Sequence, residues 1–145
     1  MGTYTIDFYE DANGHSPVDA WLSKLSPTKQ RAVVAALQYV LEVDGPKVCA
    51  TSMGKHVAPG IFELRIGHSV EQLQSMFGAR VPGGHKVDPE RILIRIFCHA
   101  HGDRIVLLLA GYDKAEHPQS GYQQRQIEVT KKRLRDVRGR RMFGG

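Results

Sequence analysis

Two apolar runs separated by a short polar turn constrain the fold of this chain more than any other feature of its sequence. Residues 92–118 read ILIRIFCHAHGDRIVLLLAGYDKAEHP, in which residues 92–100 and 105–111 are apolar almost throughout. Such runs around a turn at 101–104 predict a β-hairpin, and their continuous apolar character predicts central strands at least partly covered on both faces. The second run ends abruptly at 112–118, where ionisable side chains cluster. We therefore expect a functional site where the second strand of a rigid hairpin ends.

The sequence before the hairpin predicts a strand and two helices. Residues 3–9 alternate apolar and polar side chains, which is typical of a half-buried strand. Each helix begins at a serine followed by a proline, at 16–17 and at 26–27, because serine caps the first turn and proline fits its first position. A Gly-Pro pair at 45–46 ends the second helix. Residues 47–59 are expected to be irregular.

The remaining segments complete the order β-α-α-β-β-β-α. Residues 61–66 are the next strand, and a short helix over 68–79 is followed by a loop over 80–90. Residues 122–138 are the last helix, and 139–145 are expected to fray. We expect one α+β domain over the whole chain, in which the first strand pairs with the last-formed strands. The sheet should be antiparallel-dominated, with the helices packed on one face and the other face concave and open.

Positive charge is concentrated near the C-terminus. The chain carries a net charge of +5. Residues 123–141 contain eight basic and two acidic residues, a net charge of +6, so that the rest of the chain is nearly neutral. This segment predicts contact with a polyanion or an acidic protein, and the alternative is a solvated helix face with a frayed tail.

Neither a membrane span nor a secretion signal is visible in the sequence. No apolar run approaches the length needed to cross a bilayer, and the first residues lack the basic patch and apolar run of a signal peptide. Cys49 and Cys98 have no metal-binding or redox spacing and are expected to be free thiols. The prediction is a cytoplasmic protein that does not contact a membrane.

Five segments follow one another along the chain and together cover most of it: TIDFYED, PVDAWLSKLSPTKQ, GIFELRI, the hairpin sequence above and QRQIEVTKKRLRD. In this order they resemble the RelE/ParE toxin superfamily, and specifically its phage-derived HigB-like branch. The resemblance implies a RelE-like fold and a toxin of a type II toxin–antitoxin system. It implies a metal-independent endoribonuclease without a cofactor that cleaves messenger RNA, usually at the ribosome. It also implies a cognate antitoxin, typically a helix-turn-helix protein encoded alongside.

Two segments differ from the usual pattern of that family. Residues 67–91 form a long insertion between two strands that typical members join by a short link. This insertion is expected to lengthen the concave rim or to contact a partner. After the last strand many members carry a lysine-rich run that ends in proline. Here residues 112–118 read YDKAEHP, in which Lys114 keeps the cationic type and Asp113 and Glu116 oppose phosphate binding.

The chemistry of metal-independent RNA cleavage defines the side chains that a site would need. The substrate's 2′-hydroxyl is the nucleophile, so the protein must accept its proton, stabilise a doubly charged phosphorane and protonate the leaving 5′-oxygen. Histidine, tyrosine or a carboxylate suits the proton transfers, and arginine or lysine suits the phosphorane. The candidate catalytic residues are Arg65, His117, Lys114 and Tyr112, and the candidate RNA-binding residues are Lys55, His56, Arg95, Lys131, Lys132 and Arg135.

For Arg65, Arg95 and His117, a purely structural role is the alternative to a functional one. Arg65 is expected to clamp phosphate, or else to pair with Glu63 or another acid. Arg95 lies in an apolar strand, where a charge needs an ion pair or an exposed functional face. By the resemblance, the superfamily places strand arginines at both positions. His117 is the preferred acid or base because imidazole exchanges protons near neutral pH, and the alternative is a turn histidine next to Pro118.

The other candidates lie near the ends of strands. By the resemblance, Lys55 and His56 stand where the family often carries basic residues, either near phosphate or simply in an exposed loop. Tyr112 would stack on a base or donate a proton, with Tyr122 as a weaker stacking candidate. Asp113 would act as a base, orient a histidine or cap the following turn.

A metal site is not predicted. Cys98, His99 and His101 are close in sequence, and the two histidines would share a strand face. A third ligand at suitable spacing is not evident, and the group falls at a hairpin turn.

Two other functions compete with RNA cleavage. A ParE-like inhibitor of DNA gyrase would use the same fold and would need no acid–base pair, and the presence of Arg65, Lys114 and His117 favours RNA over it. A catalytically inactive binding module is the other alternative, and the acidic residues within 112–118 favour it.

Overall fold

The computed structural model of the protein describes residues 3–67, 92–102 and 104–144. The helix predicted over 68–79 and the loop predicted over 80–90 lie outside these residues. In the described part of the chain no helix is both long enough and apolar enough to cross a membrane.

A five-stranded mixed sheet forms the centre of an α+β fold. Its strands are β1 (Thr5–Phe8), β2 (Gly54–Ala58), β3 (Ile61–Ile66), β4 (Ile94–His101) and β5 (Ile105–Asp113), in the spatial order β1-β5-β4-β3-β2. The predicted hairpin is confirmed as β4 and β5, which are inner strands as their apolar character indicated. The predicted pairing of the first strand with the last is also confirmed, because β1 runs parallel to β5 while the other neighbours are antiparallel.

The expectation that residues 47–59 are irregular is wrong. Gly45–Ala50 form a 3₁₀ helix, and β2 follows as an edge strand paired with β3. Lys55 and His56 are both exposed, so this strand shows no alternation of apolar and polar residues to mark it. Its first residue is glycine because a Cβ there would lie 2.7 Å from the backbone of Val48.

The predicted helix signals are confirmed. Helix α1 spans Pro17–Ser23 and α2 spans Pro27–Ala36. The Ser16 and Ser26 hydroxyls accept hydrogen bonds from the backbone N–H groups three residues later, as N-caps do. The helical path continues through a π-helical turn (Leu37–Leu41) and α3 (Glu42–Asp44). It ends at Gly45, whose φ of 53° lies in the left-handed region that favours glycine.

Helices cover both faces of the sheet, so the expectation of helices on one face and an open concave face is wrong. Helices α1 and α2 pack on the face that carries Phe62, Leu64, Ile94 and Ile96. The last helix, α4 (Ser120–Gly144), packs on the opposite face, which we call the α4 face. The core of this face comprises Tyr9, Ile61, Phe97, Leu107, Leu109, Ala110, Tyr112, Ile127 and Leu134.

Helix α4 also continues into the segment predicted to fray. Residues 139–144 remain helical. The Arg140 guanidinium donates to the Glu10 carbonyl at 2.6 Å and to the Asp136 carboxylate at 2.8 Å. The Tyr9 hydroxyl donates to the same Asp136 oxygen at 2.6 Å. These bonds join the C-terminal part of α4 to the chain that follows β1.

This junction predicts a pH-dependent stability. The Tyr9 hydrogen bond, assisted by Arg140, holds the pKa of Asp136 below its usual range. A lowered pKa means that the contribution is fully present above the usual aspartate value of about 4 and is lost as the pH falls through the lowered value. We expect the melting temperature of the natural protein to exceed that of Asp136→Asn near neutral pH, with the difference shrinking in acid. Asp7→Asn, at an exposed carboxylate on β1, is the control. A difference that stays constant with pH would contradict this role of Asp136.

Candidate functional site

Three functional candidates form one row across the α4 face. Arg65 on β3 is the direct cross-strand partner of Arg95 on β4, and Arg95 is the partner of Tyr112 on β5. Directly opposed residues project their side chains to the same face of a sheet. The Tyr112 ring meets Tyr122 of α4, with centroids 5.2 Å apart. The row therefore leads from two arginines to the first turn of the basic helix.

A buried carboxylate lies beside the arginines. Glu63 is fully buried, and its two oxygens accept hydrogen bonds from different elements. Its Oε1 accepts from the Arg65 Nε at 2.8 Å, and its Oε2 accepts from the Gln123 Nε2 on α4 at 2.6 Å. The alternative that Arg65 pairs with Glu63 is thus realised. Within the described residues, however, this contact uses only Nε, and the Arg65 side chain remains 37% exposed.

Arg95 adds a second positive charge to the same place. Its side chain is half-buried, and one terminal nitrogen donates to the Ile94 carbonyl at 3.1 Å. Burial lowers the pKa of Arg95, the nearby Glu63 carboxylate opposes this, and the Arg65 charge adds to it. Among the described residues, Arg65 is bonded to Glu63 and Arg95 feels the charge of the same carboxylate, so two guanidinium groups face one carboxylate on a partly exposed surface. Such a surface favours a bound anion, and arginine suits phosphate through its planar fork of donors.

Removing the shared carboxylate is expected to destabilise the fold. Glu63→Gln removes the negative charge that opposes two neighbouring guanidiniums. The amide NH₂ group then faces one of the two donors, Arg65 Nε or Gln123 Nε2, and cannot accept its hydrogen bond. We expect the free energy of unfolding to fall by about 1–3 kcal/mol. Denaturant unfolding followed by circular dichroism measures this, with the exposed Glu128→Gln on α4 as the control. An unchanged midpoint would show that Glu63 does not hold the row together.

The stacking role predicted for Tyr112 is wrong. Tyr112 is only 2% exposed and lies between Phe97, at 6.2 Å between centroids, and Tyr122. Burial raises the pKa of its hydroxyl. Its ring packs against Phe97 and Tyr122 and is not accessible to a base. The half-buried Tyr122, the weaker candidate, already carries the stacked His117 ring, and the Arg125 guanidinium lies over its ring at 5.4 Å.

The candidates within 112–118, at the end of β5, lie in different surroundings. The His117 ring stacks on Tyr122 with 4.0 Å between centroids and 8° between planes, which links it to the row. Lys114 is half-buried, and its backbone N–H donates to the Leu93 carbonyl at 2.7 Å. Asp113 is buried and forms an ion pair with Lys29 of α2 at 2.5 Å. Its other oxygen accepts from the Ala115 N–H at 3.0 Å.

The roles of general base and histidine orienter suggested for Asp113 are therefore wrong, and the suggestion that it caps the following turn is confirmed. Sequence reasoning missed its partner Lys29. The signal was present, since Lys29 falls at helical spacing with Ala32, Val33 and Ala36, which are all buried. A lysine within an apolar stripe needs a buried acid.

The remaining basic candidates lie on β2 and on helix α4. Lys55 pairs with Glu63 across β2 and β3, so it lies on the α4 face, whereas His56 pairs with Phe62 and lies on the other face. Lys131 forms an ion pair with Glu128 at 3.1 Å. Lys132 and Arg135 are exposed.

Of these residues, only Lys55 lies on the same sheet face as the row, opposite Glu63. Ten helical positions separate Lys132 from Tyr122, a distance of about 15 Å along α4. His56, Lys131, Lys132 and Arg135 are thus not brought to the arginines.

The two histidines near the hairpin turn form a separate pair. The rings of His99 and His101 are 5.6 Å apart, and the His99 Nδ1 lies 2.6 Å from the Gly60 carbonyl oxygen. Among the residues that the structure describes, no group of three histidine, cysteine, aspartate or glutamate side chains is placed to hold a metal ion.

Comparison of the chain with protein-family models gives no match, and comparison with curated proteins gives none either.

Proposed function

We propose that this protein is a toxin of the RelE/ParE superfamily, in its HigB-like branch, that cleaves messenger RNA at the ribosome without a metal. The observation that carries the proposal is the Arg65–Arg95 cross-strand pair on a partly exposed sheet face, in which Arg65 is bonded to the buried Glu63. The order of two N-terminal helices, sequential antiparallel strands and a basic C-terminal helix supports a RelE-like fold. The resemblance of the five sequence segments points the same way.

The proposed chemistry follows from the order of groups along the row. The scissile phosphate binds at Arg65 and Arg95, which stabilise the phosphorane as negative charge develops. His117 exchanges a proton with the 2′-hydroxyl or the leaving 5′-oxygen, because it is the imidazole at the end of the row, and solvent water exchanges the proton of the other oxygen. Tyr122, on which the His117 ring stacks, holds that imidazole in place. Lys55, on the same sheet face, and Lys114, at the end of β5, add positive charge.

The outer surface of α4 extends the site for RNA. Lys132 and Arg135 are exposed there, and Lys131 is half-buried. Basic side chains on a helix attract the phosphate backbone without regard to sequence. We assign these residues to binding of the ribosome–message complex. A helix-turn-helix antitoxin with acidic or apolar segments would silence the protein by covering this surface or the row.

The direct test is a purified translation system. Protein added to translating ribosomes is expected to produce discrete cuts in the message, and Arg31→Ala, at an exposed arginine on α2, should cut equally well. Intact message at saturating protein would contradict the proposal. If the message stays intact and supercoiling by DNA gyrase is lost, the ParE-like alternative takes its place. Normal growth of bacteria that express the protein without a partner would favour an inactive binding module.

A further inference from the structure

A pocket of about 320 Å³ lies beside the proposed site, between the α1–α2 connection and the segment that joins β5 to α4. This volume is within the range of small-ligand sites, near its lower end. Tyr112 and Tyr122 of the row and the proposed acid–base residue His117 line one side of it, so a ligand in the pocket would contact His117. The aromatic and charged side chains that line it include Trp21, Lys24, Lys29, Glu116, His117 and Tyr122.

Flat aromatic groups line the pocket. Trp21 is half-buried against β5, and residue 111 is glycine at that point. A Cβ on Gly111 would lie 2.4 Å from the Trp21 Cζ3, so only glycine lets the indole pack this closely. The parallel rings of His117 and Tyr122 also line the pocket. Aromatic faces of this kind stack on unpaired nucleobases.

The polar groups of the pocket differ between floor and rim. In the floor, the buried ammonium of Lys29 is paired with Asp113. At the rim, Lys24 and Glu116 are exposed and carry opposite charges. The backbone N–H of Glu116 donates to the Asp113 carbonyl at 3.1 Å, which fixes the position of this residue in the turn. The rim therefore offers a carboxylate that accepts hydrogen bonds and an ammonium that donates them.

This pair of groups distinguishes between the bases. Guanine presents two adjacent N–H donors on its Watson–Crick edge and the acceptors O6 and N7 next to them. A carboxylate accepts from both donors, and an ammonium donates to O6 or N7. Adenine, cytosine and uracil do not present two adjacent donors on that edge.

We propose that this pocket binds a guanine base of the RNA next to the scissile phosphate, with Glu116 as the residue that selects it. The proposal rests on the function proposed above. Trp21 stacks on the base, Glu116 accepts from its N–H groups, and Lys24 donates to its acceptor edge.

Trp21 allows the pocket to be tested without any cleavage, because it is the only tryptophan in the chain. Its fluorescence, excited where nucleotides absorb little, is titrated with guanosine monophosphate and with adenosine monophosphate. A second pair of titrations uses uncleavable 2′-O-methyl oligoribonucleotides that contain one guanine or one adenine. We expect quenching with a preference for guanine. In Glu116→Gln the ratio of guanine to adenine affinity should fall about tenfold. Glu10→Gln, at an exposed carboxylate outside the pocket, should keep the ratio.

The oligonucleotide titrations identify the source of the guanine. If the pocket binds a base of the RNA, the oligonucleotide should bind more tightly than the free nucleotide. Arg65→Ala should then weaken binding of the oligonucleotide and leave binding of the free nucleotide unchanged. Equal affinities, unaffected by Arg65→Ala, would assign a free guanine nucleotide and overturn the proposal. So would an unchanged base preference in Glu116→Gln, or no quenching by any nucleotide, even if the protein cleaves messages. Guanine-selective binding by a protein that cuts no message would uphold the pocket while the proposed function fails.

Discussion

Arg65→Ala is expected to reduce message cleavage by about 100- to 1,000-fold, the usual effect of removing one group that stabilises charge in a transition state. The loss should appear in the rate of cutting on translating ribosomes under single-turnover conditions. Among the described residues Arg65 is bonded to Glu63 through Nε alone, and more than a third of its side chain is exposed, which leaves its terminal N–H groups to meet phosphate. The exposed Arg31→Ala is the matched arginine control.

The companion variant Glu63→Gln separates catalysis from structure. It disturbs the same ion pair but keeps the guanidinium of Arg65. If Arg65 stabilises the phosphorane, Glu63→Gln should retain cleavage within about tenfold while Arg65→Ala does not. Equal losses in the two variants, in step with their unfolding midpoints, would show that the pair serves the fold alone.

Lys29→Met is expected to destabilise the protein by about 3–5 kcal/mol, because it leaves the buried carboxylate of Asp113 without its partner. The side chains of Lys29 and Asp113 are 10% and 2% exposed, so water cannot replace the lost ammonium. Denaturant unfolding gives the free energy, and Lys47→Met at an exposed lysine provides the control.

The double variant Lys29→Met/Asp113→Asn tests the physical cause. The asparagine oxygen can still accept the bond from the Ala115 N–H that caps the turn, while the uncompensated charge is gone. We expect the double variant to recover most of the stability that Lys29→Met loses. A double variant as unstable as the single one would mean that packing of the lysine stem, and not the charge, is what matters. Since Asp113 begins the turn that carries His117, the single variant should also slow cleavage.

Local signals in the sequence were sufficient for most of the elements. Serine caps, Gly45 and the two apolar runs of the hairpin act through contacts close in sequence, and each is found where predicted. The placement of α4 was not predictable in this way. Its buried positions are Ile127, Thr130 and Leu134, and the half-buried Lys131 and Arg133 lie between them in the sequence.

The second apolar surface of β5 was also hidden from simple alternation. Phe97 pairs with Ala110 and Cys98 pairs with Leu108, so Leu109 is an extra residue in the strand. Leu109 and Ala110 both join the α4 face as a result. A bulge of this kind depends on the partner strand and leaves no local sign.

The candidate site was predicted in part. Arg65, Arg95 and Tyr112 were each identified separately, but their alignment in one row depends on strand register. The charge state of the site depends on Glu63 and Gln123, which lie 60 positions apart and meet only when the first turn of α4 packs on the sheet. Long-range contacts of this type have no signature in a single sequence.

The chemistry of the cut ends tests the central claim most directly. If the 2′-hydroxyl of the message is the nucleophile, the upstream fragment should end in a 2′,3′-cyclic phosphate or 3′-phosphate and the downstream fragment in a 5′-hydroxyl. A message with a single 2′-deoxynucleotide at the cut site should remain intact on ribosomes that cut the all-ribose message. Cutting of the deoxy-substituted message, or fragments with 3′-hydroxyl and 5′-phosphate ends, would contradict the account.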